Sequence, residues 1–269
     1  GGEPHEQQHW AWAPCLADRY RERLAVLGVN DPVPQQPNEA GFIHPLCLLR
    51  AVGSIGGESD ATPTALQACN TAYRHIPVEK VDGGGWSSPA GGVFPESVTY
   101  EIVGKLPSGH EVVEVHYWGG GTGQFSSVFE LTRKGDTLIG TPVAAGGDRC
   151  NGGISSTELV NGSTVRVTFL ATASELFSAA LQNSPENVSD GLPYCAVCCY
   201  GTITQDFAPE AKTGQLVSVT VDGENETPED EPKQLCLDRV LGITKGKSKS
   251  FTIKEMQAYA QRYIKECVK

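Results

Sequence analysis

Positive charge is scarce in this chain. Its 21 Lys and Arg face 32 Asp and Glu, a net charge of −11 over 269 residues. Phosphate backbones and anionic lipid surfaces are bound through clustered cations, so nonspecific binding to nucleic acid or to such a membrane is excluded. No stretch approaches the ~18 apolar residues that a membrane-spanning helix needs. Neither a Gly-x-Ser-x-Gly elbow nor a Walker loop occurs, so the usual hydrolase nucleophile and phosphate cradle are missing. Gly 31 and Pro 17 stay below the ~25–30% of low-complexity chains, and Met256 is the one methionine.

Cysteine, by contrast, is abundant. A chain this long buries roughly 70% of its unfolded surface and needs no bridges merely to fold. Yet it carries nine: Cys15, Cys47, Cys69, Cys150, Cys195, Cys198, Cys199, Cys236 and Cys267. Oxidising compartments turn such sets into disulfides, whereas cytosolic thiols stay reduced. The chain opens on Gly1, so a removed signal peptide is expected, with a periplasmic or secreted location. Nine is odd, so one thiol is left over. The cysteines fall into a helical group (15, 47, 69), a cluster (150, 195, 198, 199) and a C-terminal pair (236, 267). The cluster and the pair can each close internally. The odd thiol is therefore expected within the first 80 residues.

Periodicity divides the chain in three. Residues 1–80 read as a helical region with polar loops. Leu16, Tyr20, Leu24 and Leu27 share one helical face. A second helix is expected from Thr62, with Pro63 in its first turn and Leu66, Cys69, Tyr73 and Ile76 on one side. Val81 to Pro95 is glycine-rich and reads as a boundary or a long surface loop. Residues 96–222 then alternate with period two, as at Val98, Tyr100 and Ile102 and at Val113, Val115 and Tyr117. Turn signals between such runs indicate an antiparallel sheet, interrupted by one helix near Ala173 to Leu181. Residues 222–232 hold six acids and read as a linker. Residues 232–269 read as a helical hairpin packed on the β region, its far ends joined by Cys236 and Cys267. Thr252 and Glu255 form a capping box, with Phe251 and Met256 at the staple positions. The expected fold is α+β, disulfide-stabilised, in one or two compact domains.

Four features bear on chemistry. His5-Glu-Gln-Gln-His9 matches the zinc peptidase pattern, with Glu6 as the base for a metal-bound water. A catalytic version needs a rigid buried helix and a third ligand, which a polar terminus does not supply. No metal or other cofactor is therefore expected, and the zinc-dependent hydrolase stands as the alternative. Cys195-Ala-Val-Cys198 could be a redox dithiol. Its flanks lack the strand-to-helix context of such motifs, so structural bridging is preferred and a thiol oxidoreductase is the second alternative. His110 and His116 lie in the strand region, and His116 shares a face with Glu114 and Trp118. Neither sits beside an evident nucleophile, so both read as surface or packing residues. The Tyr117-Trp118-Gly119-Gly120-Gly121 stretch, closed by Phe125, is the binding candidate. Its glycines permit close backbone approach and its aromatics supply rigid contact area; a wide β-turn is the plainer reading.

The stretches from Gly119 to Phe125, Ala145 to Gly153 and Tyr194 to Cys199 resemble uncharacterised bacterial exported proteins. The resemblance spans residues 97–268 loosely. It implies an envelope location and carries no activity or catalytic residues. The expected function is non-catalytic binding of another protein, as an inhibitor or immunity protein for a basic toxin or enzyme.

Overall fold

The computed structural model describes residues 37, 39, 41–53, 55, 62–88, 97–119, 121–181, 192–209, 211, 213–223 and 232–268. Five helices and twelve strands fall in that part: α1 (Pro45–Val52), β1 (Thr64–Ala65), α2 (Leu66–Tyr73), β2 (Glu79–Lys80), β3 (Trp86–Ser88), β4 (Ser97–Lys105), β5 (Glu111–Trp118), β6 (Gln124–Lys134), β7 (Thr137–Asp148), β8 (Ile154–Val160), β9 (Thr164–Ala171), α3 (Ala173–Ala180), β10 (Gly201–Phe207), β11 (Gln215–Val221), α4 (Pro232–Leu241), β12 (Lys249–Phe251) and α5 (Ile253–Cys267). The fold is α+β.

The strands form two sheets rather than one. The first runs β1-β7-β6-β5-β4-β3-β2 and the second β12-β11-β10-β9-β8. Among the described residues every pairing is antiparallel, and the chain passes from one sheet to the other once, between Asp148 and Ile154. Glycine makes that crossing close. A Cβ at Gly146 would lie 2.0 Å from the Ser126 carbonyl oxygen, and one at Gly147 would lie 1.8 Å from that of Asn151.

Alternation along the strands feeds separate cores. Val113, Val115, Phe129 and Leu131 pack with α1 and α2 on one face of the first sheet. Val112, Val128 and Ala144 turn the other way, onto Val165, Val167 and Phe169 of the second sheet. Beyond that contact, Ala171, Val219, Val221 and Phe251 pack with α3, α4 and α5 around Tyr263 and Met256. The remaining face of the second sheet is mostly polar, with Thr168 bonded to Thr204 and Arg166 to Asp206.

Local signals explain most helix ends. His44 caps α1 by accepting from the Leu46 amide, and Pro45 follows at the first position. Capping boxes start α3 (Thr172, Glu175) and α5 (Thr252, Glu255). Helix α2 departs from expectation: Thr64 and Ala65 are strand, paired with Leu138 and Thr137 of β7, so the helix begins at Leu66. Asp136, from the β6–β7 turn, receives the Leu66 and Gln67 amides and caps that start from a distance. The stretch expected as loop after Val81 contains β3, which Trp86 anchors in the core beside Tyr100. β12 is an edge strand inside the expected helical hairpin, brought in by the buried Phe251.

Four disulfides close: Cys47–Cys69, Cys150–Cys199, Cys195–Cys198 and Cys236–Cys267. The cluster and the C-terminal pair close within themselves as expected. Cys15 and the Leu16–Leu27 helix lie outside the described residues, as do residues 224–231 of the acidic segment. No helix among the described residues is long and apolar enough to cross a membrane.

Candidate functional site

Where the two sheets diverge, beside the single crossing, a cleft of about 280 Å³ opens. Its floor and walls come from six places. Thr99 stands on β4, His116 and Trp118 on β5, Phe125 on β6, Arg149 on the crossing, Ile154 on β8 and Leu170 on β9. Period two explains β5's part: positions 112, 114, 116 and 118 face the second sheet while 113 and 115 enter the opposite core. Glu114 and His116 are thereby forced onto the inter-sheet face.

That pair is joined. His116 Nε2 donates to Glu114 Oε1 at 2.8 Å, with 12% of the Glu114 side chain exposed and 43% of His116. Burial opposes ionisation of Glu114, but the hydrogen bond and charge of His116 override it and hold the carboxyl below its ordinary value. The same bond, against burial, raises His116 above the usual histidine value, and Glu101 adds to the rise. The buried carboxylate fixes the ring and favours its cationic form.

Arg149 is fixed by other means. Its backbone is left-handed, φ 50°, a conformation that side-chain-bearing residues seldom adopt outside turns. Cys150 is tied to Cys199, and the Cys150 amide donates to Ala196 O, so the tip of the crossing is pinned to the second half of the chain. Asp148 takes Arg149 Nε on Oδ1 at 3.0 Å and Nη2 on Oδ2 at 3.2 Å, while Oδ1 also accepts the Gln124 amide at 2.7 Å. That ion pair and those hydrogen bonds hold Asp148 below the ordinary carboxylate value.

Of the sequence-expected binding residues, Tyr117, Trp118 and Phe125 border this cleft. The Trp118 indole N–H donates to Gly121 O, which ties the ring to the turn. Tyr117 also packs against the core on the other face of the first sheet. Gly119 and Gly121 are exposed beyond the lining, and Gly120 lies outside the described residues. Tyr117 and Trp118 end β5, paired with Phe125 and Gln124 at the start of β6. Arg149 and Asp148 carried no assignment in the sequence, although a run of glycines about an Asp-Arg pair marks backbone that side-chain-bearing residues strain to follow. Alternation places His116 on this face, where a surface or packing residue was expected and where it lines the cleft.

The other candidates fare differently. Cys195 and Cys198 are bonded to each other in a turn rather than at a helix start. His110 contacts Glu130 at the far end of β5. His5, Glu6 and His9 lie outside the described residues. Among the described residues, no group of three or more His, Cys, Asp or Glu could hold a metal ion. No family model, curated protein or solved structure matches the chain.

Proposed function

We propose that the protein is an exported, disulfide-stabilised binding protein, periplasmic or secreted, that holds another protein at the cleft between its sheets and performs no catalysis. One observation carries this reading: the polar groups bordering the cleft are already locked by partners of their own, beside an aromatic rim. His116 is held by Glu114, Arg149 by Asp148 and Trp118 by Gly121. Groups fixed before contact lose little freedom on binding, which favours affinity. Four disulfides support an oxidising compartment. The net charge of −11 favours a basic partner at long range, as an inhibitor or immunity protein would meet. Cross-linking in the native envelope or culture fluid, followed by mass spectrometry, tests this. Cross-links to one partner should map to the rim and vanish in Trp118→Ala; cross-links that survive unchanged contradict it.

A second reading rests on the closed Cys195–Cys198 bridge, with Tyr194 before it and Val197 inside its loop, which are 64% and 73% exposed. A half-buried disulfide beside exposed apolar residues suits a thiol oxidoreductase. Insulin reduction that disappears in Cys195→Ser would favour it; absence of any reduction removes it.

A further inference from the structure

We propose that the cleft is a carboxylate-recognition site, taking one carboxylate together with the aromatic or aliphatic side chain beside it. This deepens the reading above and rests on it.

The guanidinium of Arg149 carries the argument. A planar fork offers two edges to carboxylates, Nε with Nη2 and Nη1 with Nη2. Asp148 occupies the first. Among the described residues the guanidinium bonds to nothing else, so the second edge is unclaimed. An internal carboxylate on one edge orients the fork for an external one on the other. Such a bidentate contact is charge-assisted and directional.

Three further features agree. His116 borders the same cleft at 2.8 Å from the Glu114 carboxylate, which favours the cationic ring, so a second donor with positive character faces the ligand while its counter-ion is largely buried. Trp118, Phe125, Ile154 and Leu170 supply an apolar wall for the body of the ligand. The volume, about 280 Å³, lies just below the ~300–1,000 Å³ typical of ligand pockets, which suits one residue-sized group. The negative charge of the whole chain acts from farther away and is screened beyond roughly 10 Å at 0.1 M salt. The carboxylate could belong to a free aromatic acid or to the chain end of a partner protein. The chemistry is shared.

Titration of full-length protein with N-acetyl-phenylalanine, its uncharged amide and an acetylated tetrapeptide ending in phenylalanine tests the site. Calorimetry gives affinity, and the Trp118 indole N–H resonance reports location. The acid should bind and shift that resonance, and the amide should bind at least about tenfold more weakly. Arg149→Gln should lose about the same factor with an unchanged melting temperature, and Arg149→Gly, which suits the left-handed backbone, guards against a folding defect. Affinity for the acid should fall as pH rises through the His116 titration, a group facing Glu114, Glu101 and Arg149. Tighter binding of the tetrapeptide assigns a partner's chain end; equal or tighter binding of the single amino acid assigns a free acid.

Equal binding of acid and amide, unaltered binding in both Arg149 variants, or no binding of any probe at 10 mM, about 2.7 kcal/mol of affinity, would overturn the proposal. A partner whose cross-links need Trp118 but resist Arg149→Gln and competing N-acetyl-phenylalanine would leave the binding protein standing and remove its carboxylate recognition.

Discussion

Glu114 and His116, two residues apart on β5, form a 2.8 Å ion pair on the face that the first sheet turns toward the second. Glu114 sits below its ordinary 4.5, so its contribution is present above that value and is lost as pH falls through the folded pKa. His116 sits above its ordinary 6.5, so its contribution is present below that value and is lost as pH rises through the folded pKa. The pair is therefore worth most between pH 4.5 and 6.5. Glu114→Gln should lower the His116 midpoint, measured by NMR titration of its ring; an unmoved midpoint would show that the carboxylate does not control the ring.

His44 predicts the opposite slope. Burial, partly offset by a hydrogen bond with Ile76 and reinforced by His75, lowers its pKa from 6.5 to about 4. The unfolded chain then binds the proton first, so stability falls as pH drops from 6.5 toward about 4. The loss from this residue amounts to about 3 kcal/mol at ~1.4 kcal/mol per pKa unit. Urea unfolding at pH 7 and pH 4.5 measures it. His44→Asn keeps an acceptor for the Leu46 amide and should flatten the slope.

The Cys236–Cys267 bridge closes a span of 31 residues between α4 and α5. Loop-closure entropy for that span puts its contribution at about 3–4 kcal/mol. Cys236→Ala with Cys267→Ala should lower denaturant stability by about that amount. Tyr263 and Met256 remain buried without it, so the helical signal should persist.

Gly147 tolerates no side chain. A Cβ there would stand 1.8 Å from the Asn151 carbonyl oxygen, so Gly147→Ala must displace backbone at the crossing. The cost should reach at least about 3 kcal/mol, the upper end for overpacking. A melting curve that does not move would show the crossing to be pliable.

Much of this architecture was written in local sequence. The capping box at Thr252 and Glu255, the helix at 232–241 and the alternation of Val98 with Tyr100 depend on neighbours in the chain, and each formed as expected. What escaped depends on distant partners. Thr64 and Ala65 became strand because β7 lay ready to pair with them, and Asp136 capped α2 from 70 positions away in the fold's own wiring rather than from an adjacent residue. The same holds at the cleft. Alternation was enough to put Glu114, His116 and Trp118 on one side, but only the second sheet gives that side something to face. Arg149 joined them through a left-handed turn and a bridge to Cys199, and neither leaves a periodic trace.

The single crossing at Asp148–Ile154 has a consequence for the order of assembly. Each sheet takes its strands from one unbroken stretch, residues 64–148 and residues 154–251, so either can complete its pairings without the other. The cleft needs both: β4, β5 and β6 of the first stretch line it together with Ile154 and Leu170 of the second, so anything that fills it stabilises the docked molecule over a pair of finished but separate halves.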